Sequence, residues 1–98
     1  MRRRKPIHPG EVLASEFLEP LGITKYRLAK DTGMPADRVG KIVSGKRSLT
    51  ADTALRLAHY FGTTPAFWIN LQTHYDLEIA TDQHGRSIAR RIKPWRAA

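Results

Sequence analysis

The sequence contains no cysteine. That excludes a disulfide scaffold, a thiolate zinc finger and a cysteine nucleophile together, and it suits a reducing cytoplasm. Long apolar runs are missing as well, and nothing approaches the ~18 residues that a membrane span needs. The start, Arg2 to Lys5, has the charge of a signal peptide's head. Pro6, His8, Pro9 and Glu11 stand where its apolar stretch belongs, so secretion is not expected. Acids are few: 9 Asp and Glu face 17 Lys and Arg, for a formal net charge of +8. What is present is enough hydrophobic material, 41% of 98 residues, for one compact core. A chain this short buries only roughly 60–65% of its surface on folding, so self-association or a partner is expected.

Catalytic signatures are absent too. His8, His59, His74 and His84 lack metal-ligand spacing, and no phosphate loop, nucleophile elbow or paired carboxylates occur. No enzyme activity, cofactor or metal is expected.

The positive charge is clumped. Arg2, Arg3, Arg4 and Lys5 form an N-terminal arm; Lys25, Arg27, Lys30, Arg38, Lys41, Lys46 and Arg47 fall within 23 residues. Arg86, Arg90, Arg91, Lys93 and Arg96 make the end basic again, whereas residues 51–85 set one Arg against four carboxylates. Segregated charge of this kind favours a polyanion, because each phosphate contact releases condensed counterions.

Helix punctuation is dense. The spacing predicts a first helix from Gly10 to about Leu18, stopped by Pro20. A second runs from Lys25 to Asp31, capped by Thr24 and ended by Gly33. A third covers Ala36 to Val43, with Val39, Ile42 and Val43 inward. Thr50 caps a fourth, Ala51 to Phe61, with Ala54, Leu55, Ala58 and Phe61 as its apolar repeat. Thr64-Pro65 starts a fifth, whose stripe is Phe67, Trp68, Leu71 and Tyr75 and which extends to about Ala80. The tail fits two patterns. Ile88, Arg90 and Ile92 alternate as on a strand, while Ile88, Ile92 and Trp95 also satisfy helical spacing. The strand is preferred, because Gly85 and Pro94 bracket it, and an unpaired strand would point to a dimer interface.

The informative stretch is Lys25 to Ile42. Ala29 supplies a small side chain where two helices cross, Gly33 a turn residue tolerating φ > 0, and Val39 and Ile42 a branched inner face. Ala36, Asp37, Arg38, Gly40 and Lys41 are left facing outward. Such a helix fits a major groove about 12 Å wide. The fold expected is therefore all-α, a five-helix helix-turn-helix domain. Residues 1–7 would form a basic arm, 8–80 the DNA-binding domain, and 81–98 a basic tail that serves in dimerisation.

These residues resemble the XRE/Cro-like helix-turn-helix family and, within it, the HigA-type antitoxins. The similar pieces are His8-Pro9-Gly10-Glu11, Gly45-Lys46, Leu49-Thr50, Ala54 through Ala58, and Thr64 through Gln72 ending in Tyr75-Asp76-Leu77. The resemblance covers residues 6 to about 79 and implies a lambda-repressor-like fold. It also implies a homodimer that represses its own operon through operator duplex DNA, and a RelE-like mRNA-endonuclease toxin as partner. Two departures stand in the recognition helix: Pro35 occupies the usual Ser or Thr cap position, and Gly40 replaces a small polar residue.

The expected DNA-binding set is Lys25, Tyr26, Pro35, Ala36, Asp37, Arg38, Lys41, Ser44, Lys46 and Arg47. Arg38 is placed as the base reader, since its planar fork can grip guanine at two points. Lys41 reaches a base edge or a phosphate, while Lys46 and Arg47 hold the backbone. Lys25 and Tyr26 face the same strand's phosphates, with a core position as the other reading of Tyr26. Asp37 either accepts from cytosine or, more simply, favours its own helix's N-terminus. The arm enters a minor groove or does nothing. Two competing functions stay open: a stand-alone XRE-type transcriptional repressor without a toxin, and a basic helical RNA-binding protein.

Overall fold

A computed structural model describes residues 5–96, which form five helices and no strand. The Arg2–Arg4 part of the basic arm lies outside the described residues. Helix α1 is continuous but composite: an α-turn at Pro9–Val12, a π segment at Leu13–Leu18 and a closing turn at Glu19–Leu21. Pro20 therefore does not stop it, contrary to the sequence reading. The wide π turn lets the Glu19 N–H reach the Ala14 carbonyl, which accommodates proline's ring and missing donor inside the last turn. The helix ends instead at Gly22, where the Ile23 N–H bonds back to the Leu18 carbonyl.

Helices α2 (Lys25–Thr32), α3 (Ala36–Val43) and α4 (Ala51–Phe61) follow the predicted punctuation. Thr24 and Thr50 accept from the backbone N–H three residues on, and Gly33 turns the chain at φ 73°. Val39 and Ile42 are buried in α3 and Ala29 is buried opposite them, as the spacing requires. In α4 the inward set is Ala54, Leu57, Ala58 and the half-buried Phe61. Leu55 is 59% exposed, so Leu57 takes the core place that the sequence reading gave it. Spacing decides this, because 54, 57, 58 and 61 follow one helical stripe and 55 lies beside it.

Helix α5 spans Pro65–Arg91, 27 residues or about 40 Å at 1.5 Å each. This corrects two expectations, an end near Ala80 and a strand at 88–92. A lone Gly85 costs a helix only about 1 kcal/mol, which its neighbours absorb. No second strand exists among the described residues to pair with residues 88–92. The stop comes at Ile92, which is extended, ahead of Pro94. Only Trp68 and Gln72 of α5 are buried. Trp68 is fully enclosed, packs with Phe17, Phe61 and Phe67, and donates from Nε1 to Thr63 Oγ1 at 2.8 Å. Gln72 accepts the Leu49 N–H at 2.7 Å and donates to Asp76, fixing the chain that enters α4.

Candidate nucleic-acid interface

Helix α3 packs against α1 in direct backbone contact at Gly10. A Cβ on Gly10 would stand 1.8 Å from the Ile42 carbonyl oxygen, so only glycine permits this approach. His8 starts the same helix. Its Nδ1 accepts the Gly10 N–H at 2.9 Å, its ring meets Tyr75 edge-on at 4.9 Å, and it hydrogen-bonds the Arg47 backbone. Because Nδ1 is the acceptor, the proton sits on Nε2 and the imidazole is neutral. Burial pushes its pKa below 6.5, against the raising effects of the Arg47 backbone bond, Asp76 and Glu11. One side chain thus ties the start of α1 and the side of α5 to the basic turn after α3.

All the expected contact residues except Arg38 are exposed. Lys25 and Tyr26 are exposed at the start of α2, and Tyr26 at 72% has no core role. Ala36 and Asp37 are exposed in the first turn of α3, behind Pro35, whose side chain makes no cap bond. Asp37 pairs with Lys41 at 3.2 Å, an exposed i,i+4 bridge that also suits the helix N-terminus. Ser44 Oγ donates to the Lys41 carbonyl, and Lys46 and Arg47 are exposed in the following turn.

Arg38 differs from the rest. Its side chain is only 24% exposed and is drawn toward α4, where Nη1 meets Asp52 Oδ2 at 2.9 Å. The same oxygen accepts Arg56 Nε at 2.9 Å, and Arg56 Nη1 donates to the Thr32 carbonyl at 2.7 Å. The chain of contacts runs from α3 through α4 to the end of α2, bracketing the turn between the two crossed helices. The bonds from Arg56 and then Arg38 hold the Asp52 carboxyl below the usual carboxylate range. A second network lies alongside: Tyr60 Oη donates to Asp31 at 2.6 Å, and Arg27 Nε to the same oxygen at 2.7 Å. Both bonds, Tyr60's first, lower the Asp31 pKa.

A family model described as helix-turn-helix matches residues 15–68. Virulence-associated protein I of Dichelobacter nodosus is 48% identical over 82 residues, 84% of this chain and 75% of that protein. An addiction module antidote protein of the HigA family from Coxiella burnetii superposes with a TM-score of 0.89 at 48% identity. It covers 94% of this chain and 100% of its own. The Pseudomonas aeruginosa antitoxin HigA, solved with the higBA promoter, gives 0.90 at 42% identity, covering 93% and 99%. This chain belongs to the HigA-type branch of the helix-turn-helix family.

Within that family frame, sequence reasoning missed three residues that shape the site. The sequence reading gives His8 no structural role beyond its place in the family-like His8-Pro9-Gly10-Glu11 piece, although a histidine just before Pro-Gly at a helix start is placed to cap it. Asp52 and Arg56 carried a legible signal, an acid and a base four apart behind a threonine cap. Their reach to Arg38 and Thr32 depends on the packing of α4 and was not legible. Among the described residues no His, Asp and Glu cluster could hold a metal ion, and no helix is long and apolar enough to cross a membrane.

Proposed function

We propose that this chain is a sequence-specific DNA-binding antitoxin that represses its own operon and neutralises a RelE-like mRNA-endonuclease toxin by direct contact. The reading makes it a cytoplasmic, non-enzymatic homodimer without cofactor. One observation carries it: Ala36, Asp37, Lys41 and the basic turn after α3 are exposed around a half-buried Arg38, in a chain that superposes closely on an antitoxin solved with its promoter. In this reading α3 enters the major groove and Arg38 reads a base edge. Lys41 adds a second base or phosphate contact. Lys46 and Arg47 grip the backbone, and Lys25 and Tyr26 hold phosphates of the same strand. Pro35, Ala36, Asp37 and Ser44 complete the contact surface.

Residues 8–80 form the DNA-binding unit of this proposal, and 81–98 the dimerisation segment. The end of α5 supports that division, since Ile88, Ile92 and Trp95 are exposed large apolar groups on or just beyond a projecting helix.

Fluorescence anisotropy on duplex DNA from the protein's own upstream region tests the operator reading, with a scrambled duplex and single-stranded RNA alongside. A preference of ~10³-fold or more for the upstream duplex at physiological salt is expected. Equal, steeply salt-dependent binding to all three overturns it, and tighter binding to RNA favours the RNA-binding alternative. The toxin reading is tested by co-expression with a short basic reading frame encoded beside the gene. Copurification and loss of mRNA cleavage are expected. Specific operator binding without such a partner leaves the stand-alone repressor.

A further inference from the structure

Arg38 and Arg56 share one oxygen of Asp52, and this arrangement bears on how DNA is discriminated. A carboxylate beside a DNA-reading arginine ought to weaken binding by repelling phosphate. Here it serves two guanidinium groups, so the three charges together remain positive. Asp52 is itself anchored: it lies in the first turn of α4, where the helix N-terminus favours an acid, and Arg56 fastens it to the Thr32 carbonyl. Arg38 meets it through Nη1 alone. Nε and Nη2 have no other partner among the described residues, and two N–H donors are what guanine O6 and N7 require. Two consequences follow. The guanidinium does not have to be ordered when it meets its base, and it is restrained from swinging to the nearest phosphate of an incorrect sequence.

We propose that Asp52 is a positioning residue for sequence discrimination, holding Arg38 so that it reads a base edge and does not grip phosphate indiscriminately. The inference rests on the reading of Arg38 as a base contact.

The test compares the full chain with Asp52→Asn, Arg38→Ala and the double variant, on the upstream duplex and its scramble across a salt series. Asp52→Asn is expected to tighten binding to the scramble and loosen it on the upstream duplex. The ratio of affinities should fall roughly 3- to 10-fold. The salt slope on the scramble should steepen by about one, as Arg38 gains a phosphate contact. Arg38→Ala should lower the ratio by roughly 5- to 150-fold. In that background Asp52→Asn should change it no further, because its effect passes through Arg38. A merely structural role would weaken both duplexes together and leave ratio and slope alone. Thermal melting checks that each variant is folded, and Asp52→Ser substitutes if the Asn form melts below the assay temperature. An unchanged ratio with Asp52→Asn beside a reduced one with Arg38→Ala overturns the positioning role and spares the base contact. An unchanged ratio with Arg38→Ala removes both.

Discussion

Two glycines in this chain carry opposite expectations, and only the packing around them says why. A methyl on Gly10 would lie inside van der Waals contact with the Ile42 carbonyl, a backbone atom that cannot swing aside. Gly10→Ala is therefore expected to destabilise the fold by about 1–3 kcal/mol or more, read as a lower urea midpoint at unchanged slope. Gly40 meets nothing within 4 Å, so Gly40→Ala should gain about 1 kcal/mol from helix propensity alone. Equal effects at the two sites would contradict the crossing of α1 and α3. His8 adds a dependence on pH. Its folded pKa lies below the 6.5 of the unfolded chain, so its contribution is complete above 6.5 and is lost as pH falls through the folded value. Stability should drop between pH 7.5 and 5.5, and His8→Asn, which keeps a cap acceptor without a titrating ring, should flatten that drop. A drop of the same size in the variant would show that it does not come from His8. Asp31 and Asp52 act lower: their lowered pKa values add stability above about 3.8 that disappears as pH falls through the folded values.

At the scale of elements, local chemistry explains why most boundaries were legible. Thr24, Thr50 and Thr64 cap their helices, and Gly33 and Gly62 close theirs, through bonds spanning a few residues that any reader of the chain can count. The misreadings share the opposite cause. Pro20 is tolerated because a π turn forms upstream, and Gly85 because nothing downstream before Pro94 compels a turn; neither residue reveals this by itself. Of the candidate site, the exposed positions in α2, α3 and the basic turn were legible, but the ion pairing that draws Arg38 onto α4 was not. The length of α5 leads to a prediction. With its buried residues confined to Trp68 and Gln72, deletion of residues 81–98 should leave the helical core folded and shift the melting temperature by only a few degrees. Sedimentation velocity is expected to show a dimer for the full chain and a monomer for the truncated one. Loss of the helical signal together with dimerisation would mean that the core depends on the tail.

Across the whole molecule the proposed function implies a charge pattern that divides labour between affinity and discrimination. The +8 net charge sits mostly at the two ends and in residues 25–47, while residues 51–85 are acidic on balance. An even spread of that charge would attract DNA in many orientations; a segregated one steers a particular face toward it. Lys46 is suited to the steering role because it is exposed, lies in the turn beyond α3 and makes no ion pair among the described residues. A lysine is a point charge without arginine's planar fork, so its contact with a phosphate carries no sequence information. Lys46→Ala is accordingly expected to weaken the upstream and scrambled duplexes by the same factor and to reduce the slope of log K against log salt by about one on each. That is the opposite signature to the one expected at Asp52, where the ratio changes and the slope on the scramble steepens. An unchanged slope with Lys46→Ala would place the residue off the phosphate backbone. A changed ratio would make it a base reader, and the division between turn and helix would then fail.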